Sequence, residues 1–97
     1  MKGYMVAQLE VEDPAQFEGY RDKVPAVIAR FGGRYLIRGG EIAPLEGHWP
    51  YPRLVVIEFD SVEAARTFYH SPEYQEILPL RLAAAKGAVA IVEGVPL

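Results

Sequence analysis

The chain has 97 residues, no cysteine, 24% charged residues and a formal net charge of −3. That is the length of a single domain, residues 1–97; it excludes disulfide and thiolate-metal stabilisation, and its mild acidity argues against nonspecific nucleic-acid binding, which needs a basic face. Because 51% of the residues are apolar, generous for a chain that hides roughly 60–70% of its unfolded surface, part of that surface is expected in a subunit interface.

Met1-Lys2-Gly3-Tyr4 leads almost directly into a strand without a signal-peptide core, and no run of 18 apolar residues is present. A cytoplasmic protein with no membrane partner is the default expectation. Tyr4 to Val11 reads as the first strand, with Met5, Ala7, Leu9 and Val11 on one face and Tyr4, Val6, Gln8 and Glu10 on the other. Asp13 then caps a helix, Pro14 suits its first position and Gln16 completes a capping box. The apolar stripe Phe17, Tyr20, Val24, Val27, Ile28, Phe31 has helical spacing, with a kink or break expected at Pro25 and an end at Gly32-Gly33.

Arg34 to Arg38 reads as a short second strand, stopped or bulged at Gly39-Gly40. The connection from Glu41 to Pro52 is long for a compact domain, which often marks function. Arg53 to Asp60 is the most strand-like run in the chain, apolar on both faces and therefore interior to a sheet, with the carboxylate of Glu58 as its exception. Ser61 caps the next helix, which carries Ala64, Ala65, Phe68 and Tyr69. Ser71-Pro72-Glu73 starts another segment with Tyr74, Ile77, Leu78 and Leu82, expected to break at Pro79. Ala83 to Lys86 is expected to finish that helix and Gly87 to close it, leaving Ala88 to Glu93 as the last strand.

Strand, helix, strand, strand, helix, strand is the split βαβ, ferredoxin-like order: an α+β fold with a four-stranded antiparallel sheet. Two right-handed crossovers put the first and third strands in the middle and both helices on one face. The other face would carry Val6, Leu36, Leu54, Val56, Ala90 and Val92, too apolar for water. A second copy about a two-fold axis is the simplest cover, and two such sheets enclose a barrel.

Asp13-Pro14 with Tyr20, Val24-Pro25, Gly32-Gly33-Arg34, Arg38-Gly39-Gly40, Leu45-Glu46-Gly47 with Trp49, the strand from Arg53 to Phe59, Tyr69-His70-Ser71-Pro72-Glu73-Tyr74-Gln75 and Pro79-Leu80-Arg81 span nearly the whole length. Together they resemble the family labelled domain of unknown function 1330, within the dimeric α/β-barrel superfamily. The resemblance implies a small homodimeric barrel. It does not imply a reaction, because the wider superfamily holds monooxygenases of quinol-like substrates, lactone isomerases and haem proteins on one fold.

Parity puts Gln8, Arg38 and Glu58 on the barrel face, where Arg38 and Glu58 are expected to meet across adjacent strands. They read either as a ligand-binding ion pair with Glu58 as a proton-transferring group, or as a structural pair fixing register or the dimer. His48 and Trp49, in the long connection, read as an acid–base group and a pocket wall, or as a solvated residue and a subunit anchor. His70, before a cap, reads as structural or exposed. Tyr20, Tyr69, Tyr74 and Arg81 either line an opening between helix and sheet that holds an anionic or aromatic ligand, or are core tyrosines with local partners. No phosphate loop, metal-ligand spacing or nucleophile outside the serine caps is present. The expectation is a homodimer that binds a small polar or aromatic metabolite, without a cofactor, as a cofactor-free enzyme or a pure binder. The alternative is a non-catalytic structural or regulatory homodimer.

Overall fold

A computed structural model describes residues 1–96. In chain order the elements are β1 (Gly3–Val11), α1 (Pro14–Arg30), β2 (Arg34–Arg38), β3 (Arg53–Phe59), α2 (Val62–His70), α3 (Pro72–Ala84) and β4 (Ala85–Glu93). The strands form one antiparallel sheet in the order β2-β3-β1-β4, so the fold is ferredoxin-like α+β, with the Arg53 strand inside as expected. A sheet and one layer of helices make a slab of 35 × 32 × 16 Å.

Local chemistry accounts for the helix starts. The Asp13 carboxylate accepts from the Gln16 amide at 3.1 Å, and the Ser61 hydroxyl accepts from the Ala64 amide at 3.0 Å. Ser71 serves two helices at once: its hydroxyl donates to the Phe68 carbonyl at 2.7 Å, ending α2, and accepts from the Tyr74 amide at 3.1 Å, starting α3. This corner turns Tyr74 inward, where it is fully buried with Phe59, Phe68 and Ile28.

The break expected at Pro79 does not occur, and of the kink or break expected at Pro25 the break does not. α1 runs unbroken through Pro25 and α3 through Pro79. An interior proline costs about 3 kcal/mol, but each apolar side chain buried beyond it returns about 1.5–3 kcal/mol. Phe17 before Pro25 and Val27 and Ile28 after it all reach the core, as do Ile77 and Leu78 before Pro79 and Ala84 after it.

The end of α3 also differs from expectation. The helix stops at Ala84; Ala85 and Lys86 already belong to β4, and Gly87 lies within the strand opposite Leu9. Gly87 has φ +153°, and a Cβ there would meet the Gln8 carbonyl oxygen at 1.9 Å, so glycine serves a close strand approach rather than a helix cap. The Ala84 carbonyl is satisfied by the Glu12 and Asp13 amides at 2.7 and 3.0 Å.

Residue parity explains the layers. Met5, Leu9, Ile57 and Phe59 point to the helices and pack with Phe17, Val24, Ile28, Phe68, Ile77 and Leu78. The opposite face carries Val6, Leu54, Val56, Ala90 and Val92 with no helix over it, and Val92 is 48% exposed.

Candidate functional site

β2 holds the feature that redistributes the polar residues. Tyr35 pairs with Ile57, but Ile37 pairs with Val56 and Arg38 with Val55, so Leu36 is an extra residue. A one-residue bulge exchanges the faces of everything after it. Ile37 therefore joins Val56 on the open face, and Arg38 turns under the helices with Val55. The expected meeting of Arg38 with Glu58 is overturned.

Glu58 pairs instead with Arg34 and accepts from the Tyr4 hydroxyl at 3.0 Å. Its own strand neighbours cover it, leaving the residue 9% exposed. Loss of water opposes its charge, but the Tyr4 and Arg34 hydrogen bonds outweigh that and hold the carboxyl below the usual carboxylate range. The same bond raises the Tyr4 phenol. Gln8, opposite Leu54, stays on this face as expected.

On the helix side, a cleft of about 40 Å³ lies between α1, α3 and the sheet. Its apolar walls include Met5, Leu9, Phe17, Val24, Val55 and Ile57. Its polar groups are Tyr20, Tyr35 and Tyr74 with Arg21, Arg38, Arg53 and Arg81. At the inner end the Tyr20 and Tyr74 hydroxyls hydrogen-bond at 2.9 Å, with the rings edge to face at 6.3 Å. Burial, then the neighbouring Tyr74, pushes the Tyr20 phenol well above its ordinary value, so it is a neutral donor or acceptor at physiological pH. Arg81 stands beside this pair, 7% exposed. Burial works against its charge, and the surrounding Tyr74, Tyr20 and Tyr69 more than offset it. Its Nε is buried without a hydrogen-bond partner.

Toward the outside, the Arg53 guanidinium lies over the Phe17 ring at 5.3 Å and the Arg38 guanidinium over Tyr35 at 4.7 Å. Burial, then the nearby Arg21 and Arg38, lowers the Arg53 pKa, and Arg53 Nε is also buried without a partner. Burial raises the Tyr35 phenol. Among the described residues, no acidic side chain forms an ion pair with Arg38, Arg53 or Arg81, and Arg21 has only the exposed Glu18 at 3.9 Å.

Of the side chains singled out from sequence, Tyr20, Tyr74 and Arg81 meet at one point. Tyr69 packs on Tyr74 with ring centroids 5.4 Å apart, but lies with His70 beside a separate open depression of about 300 Å³. His48 and Trp49 are exposed in the connection, Trp49 by 43%, and neither lines the cleft. Arg21, Tyr35 and Arg53 were not singled out. The signals were present: Arg21 is four residues from Phe17 and three from Val24 on one helical stripe, and Arg53 shares parity with Val55 and Ile57. Among the described residues no cluster of three or more metal-ligating side chains occurs, and no helix is long and apolar enough to cross a membrane.

Three helices layered on one face of a four-stranded antiparallel sheet define a ferredoxin-like α+β protein, and the comparisons say which family. The profile of the domain of unknown function DUF1330 matches residues 2–95, and the chain belongs to that family. No curated protein matches. Among solved structures, RPA0582, a protein of unknown function from Rhodopseudomonas palustris, is similar with TM-score 0.77 and 18% identity, over 99% of this chain and 84% of that one. SnoaB from Streptomyces nogalater, described as a cofactor-independent oxygenase, is similar with TM-score 0.61 and 16% identity, over 99% and 95%. A dimeric ferredoxin-like protein of unknown function from Thermobifida fusca is similar with TM-score 0.57 and 14% identity, over 96% and 91%. At these identities the likeness is one of fold.

Proposed function

We propose that this protein binds a small aromatic metabolite bearing a polar oxygen in the cleft between α1, α3 and the sheet. The observation that carries the reading is Arg81, a buried guanidinium with no acidic partner among the described residues and an unpartnered Nε, set beside the Tyr20–Tyr74 hydroxyl pair in an otherwise apolar cleft. The phenols around it offset the burial of the charge, but the Nε N–H is left unbonded; a buried donor without a partner costs about 1–3 kcal/mol, and a ligand oxygen meeting it recovers that cost. The apolar walls suit a ring, and the phenols and guanidinium suit a phenolate, enolate or carbonyl oxygen. Stabilising such an oxygen is what chemistry without a cofactor asks of a protein, and the fold neighbour described as a cofactor-independent oxygenase supports considering that class. The reading assigns no catalytic role to His48 or Glu58.

The open sheet face belongs to the same reading. A second copy covers it, with Ile37, Val56 and Val92 forming the apolar centre and Arg34, Glu58 and Gln8 the polar contacts; the fold neighbour described as dimeric supports this. The test is a calorimetric titration of phenols, quinols and hydroxylated aromatic acids against the purified protein and its Arg81→Gln and Tyr74→Phe variants. The expected result is binding that Arg81→Gln weakens at least about tenfold, the loss of one charge-assisted hydrogen bond. Equal affinity in the wild type and both variants overturns the site.

A further inference from the structure

We infer that the outer end of the cleft is a second, separate anion subsite formed by Arg21, Arg38 and Arg53, so that the ligand is a flat aromatic acid with its carboxylate at that end and its polar oxygen at Arg81. This deepens the reading above and rests on it. Three guanidiniums of like sign gather there although each repels the others, and no acidic side chain among the described residues neutralises Arg38 or Arg53. Such an arrangement is stable only with solvent or an anion between them.

Arg38 and Arg53 are each held in place. Arg53 lies over Phe17 and Arg38 over Tyr35. Gly39, at φ +66°, leaves the Arg53 guanidinium against its backbone, where a Cβ would meet Nη1 at 2.1 Å. The Leu36 bulge is what brings Arg38 to this side of the sheet at all. Arg21 and Arg38 are exposed, Arg53 is half-buried and Arg81 is buried, which grades the cleft from an accessible end to a closed one. A planar fork matches a planar carboxylate, and the apolar walls between the two poles suit a ring once the lining side chains move apart, since the cleft holds about 40 Å³ and a benzene-sized guest needs about 150 Å³.

The test compares 4-hydroxybenzoate, 4-hydroxyphenylacetate and 4-hydroxycinnamate, which grade the spacing between ring and carboxylate, with their methyl esters and with phenyl phosphate, by calorimetry at low and moderate salt. The expected result is that the best acid binds about tenfold or more tighter than its ester. Arg38→Gln and Arg53→Gln then lower acid affinity while leaving ester affinity within about twofold, and the acid alone weakens with salt. Gly39→Ala, which displaces the Arg53 guanidinium without removing a charge, lowers acid affinity in the same direction. Circular dichroism confirms that each variant is folded. Equal binding of acid and ester overturns the subsite but leaves the inner site standing. Preference for phenyl phosphate overturns the carboxylate assignment. No binding by acids or esters overturns both this subsite and the cleft as a ligand site.

Discussion

Arg81 ties ligand binding to stability within one side chain. Burial works against its charge, Tyr74, Tyr20 and Tyr69 more than offset that, and its Nε alone is left without a partner. Arg81→Met keeps the volume and removes the charge. It is expected to lower the melting temperature of the free protein by a few degrees, on the order of 1 kcal/mol, while abolishing aromatic-acid binding; scanning calorimetry and titration on one preparation check both. Glu58 behaves oppositely. Its folded pKa lies below the ordinary value, so its contribution is present above the ordinary carboxylate range near 4.3 and is lost as pH falls through the lower folded value. Glu58→Gln is expected to melt earlier than the wild type at pH 7, with the two curves converging in acid. At this scale the sequence was a fair guide: the meeting of Tyr20, Tyr74 and Arg81 was legible from the helix stripe and the Ser71-Pro72 corner. The Glu58 partner was not, because it depends on Arg34, not Arg38, lying opposite.

At the scale of elements, the bulge in β2 decides which face each arginine serves. Parity counting assumes an unbroken ladder, and nothing in Arg34-Tyr35-Leu36-Ile37-Arg38 announces an extra residue, since bulges depend on how two strands meet. Deleting Leu36 is expected to realign the strand so that Arg38 returns to the open face and Ile37 to the cleft; acid binding falls, and crystallography or nuclear Overhauser contacts between residue 38 and Tyr35 check the change. The two prolines misled for a related reason. Their local penalty is readable, but the apolar contacts on both sides of each are set by the sheet beneath. Gly87 is the third case: after Ala83-Ala84-Ala85-Lys86 it looks like a helix terminator, and only the β1 pairing shows that its missing side chain makes room for the Gln8 carbonyl. Gly87→Ala is expected to destabilise the protein by more than about 2 kcal/mol, because backbone rather than a flexible side chain must yield; urea denaturation checks it.

For the molecule as a whole, a slab 16 Å deep has only one interior. The fold was readable from element order, cap chemistry and the two-faced apolar pattern of β3, because these follow from local sequence and period. The second copy proposed over the sheet would give the other face an interior of its own. Sedimentation velocity at micromolar concentration is expected to give a single species near twice the chain mass, and Val56→Lys, at the middle of the face, to convert it to the monomer. A lone folded subunit in the wild type overturns the assembly and leaves the cleft proposals untouched, since every cleft residue comes from one chain.

The Ala84 carbonyl has a mechanical consequence. By accepting both the Glu12 and Asp13 amides it rivets the entrance of α1 to the exit of α3, while further along the helices are joined through side chains, by the Tyr20–Tyr74 hydroxyl bond at 2.9 Å and the exposed Arg30–Glu73 pair at 3.8 Å. Main-chain hydrogen bonds thus fix the Ala84 end of the helix pair, beside Phe17 and Arg53, whereas among the described residues side-chain contacts alone hold the remainder. Slow deuterium uptake at the Glu12 and Asp13 amides, slower than at the exposed ends of either helix, is the expected signature.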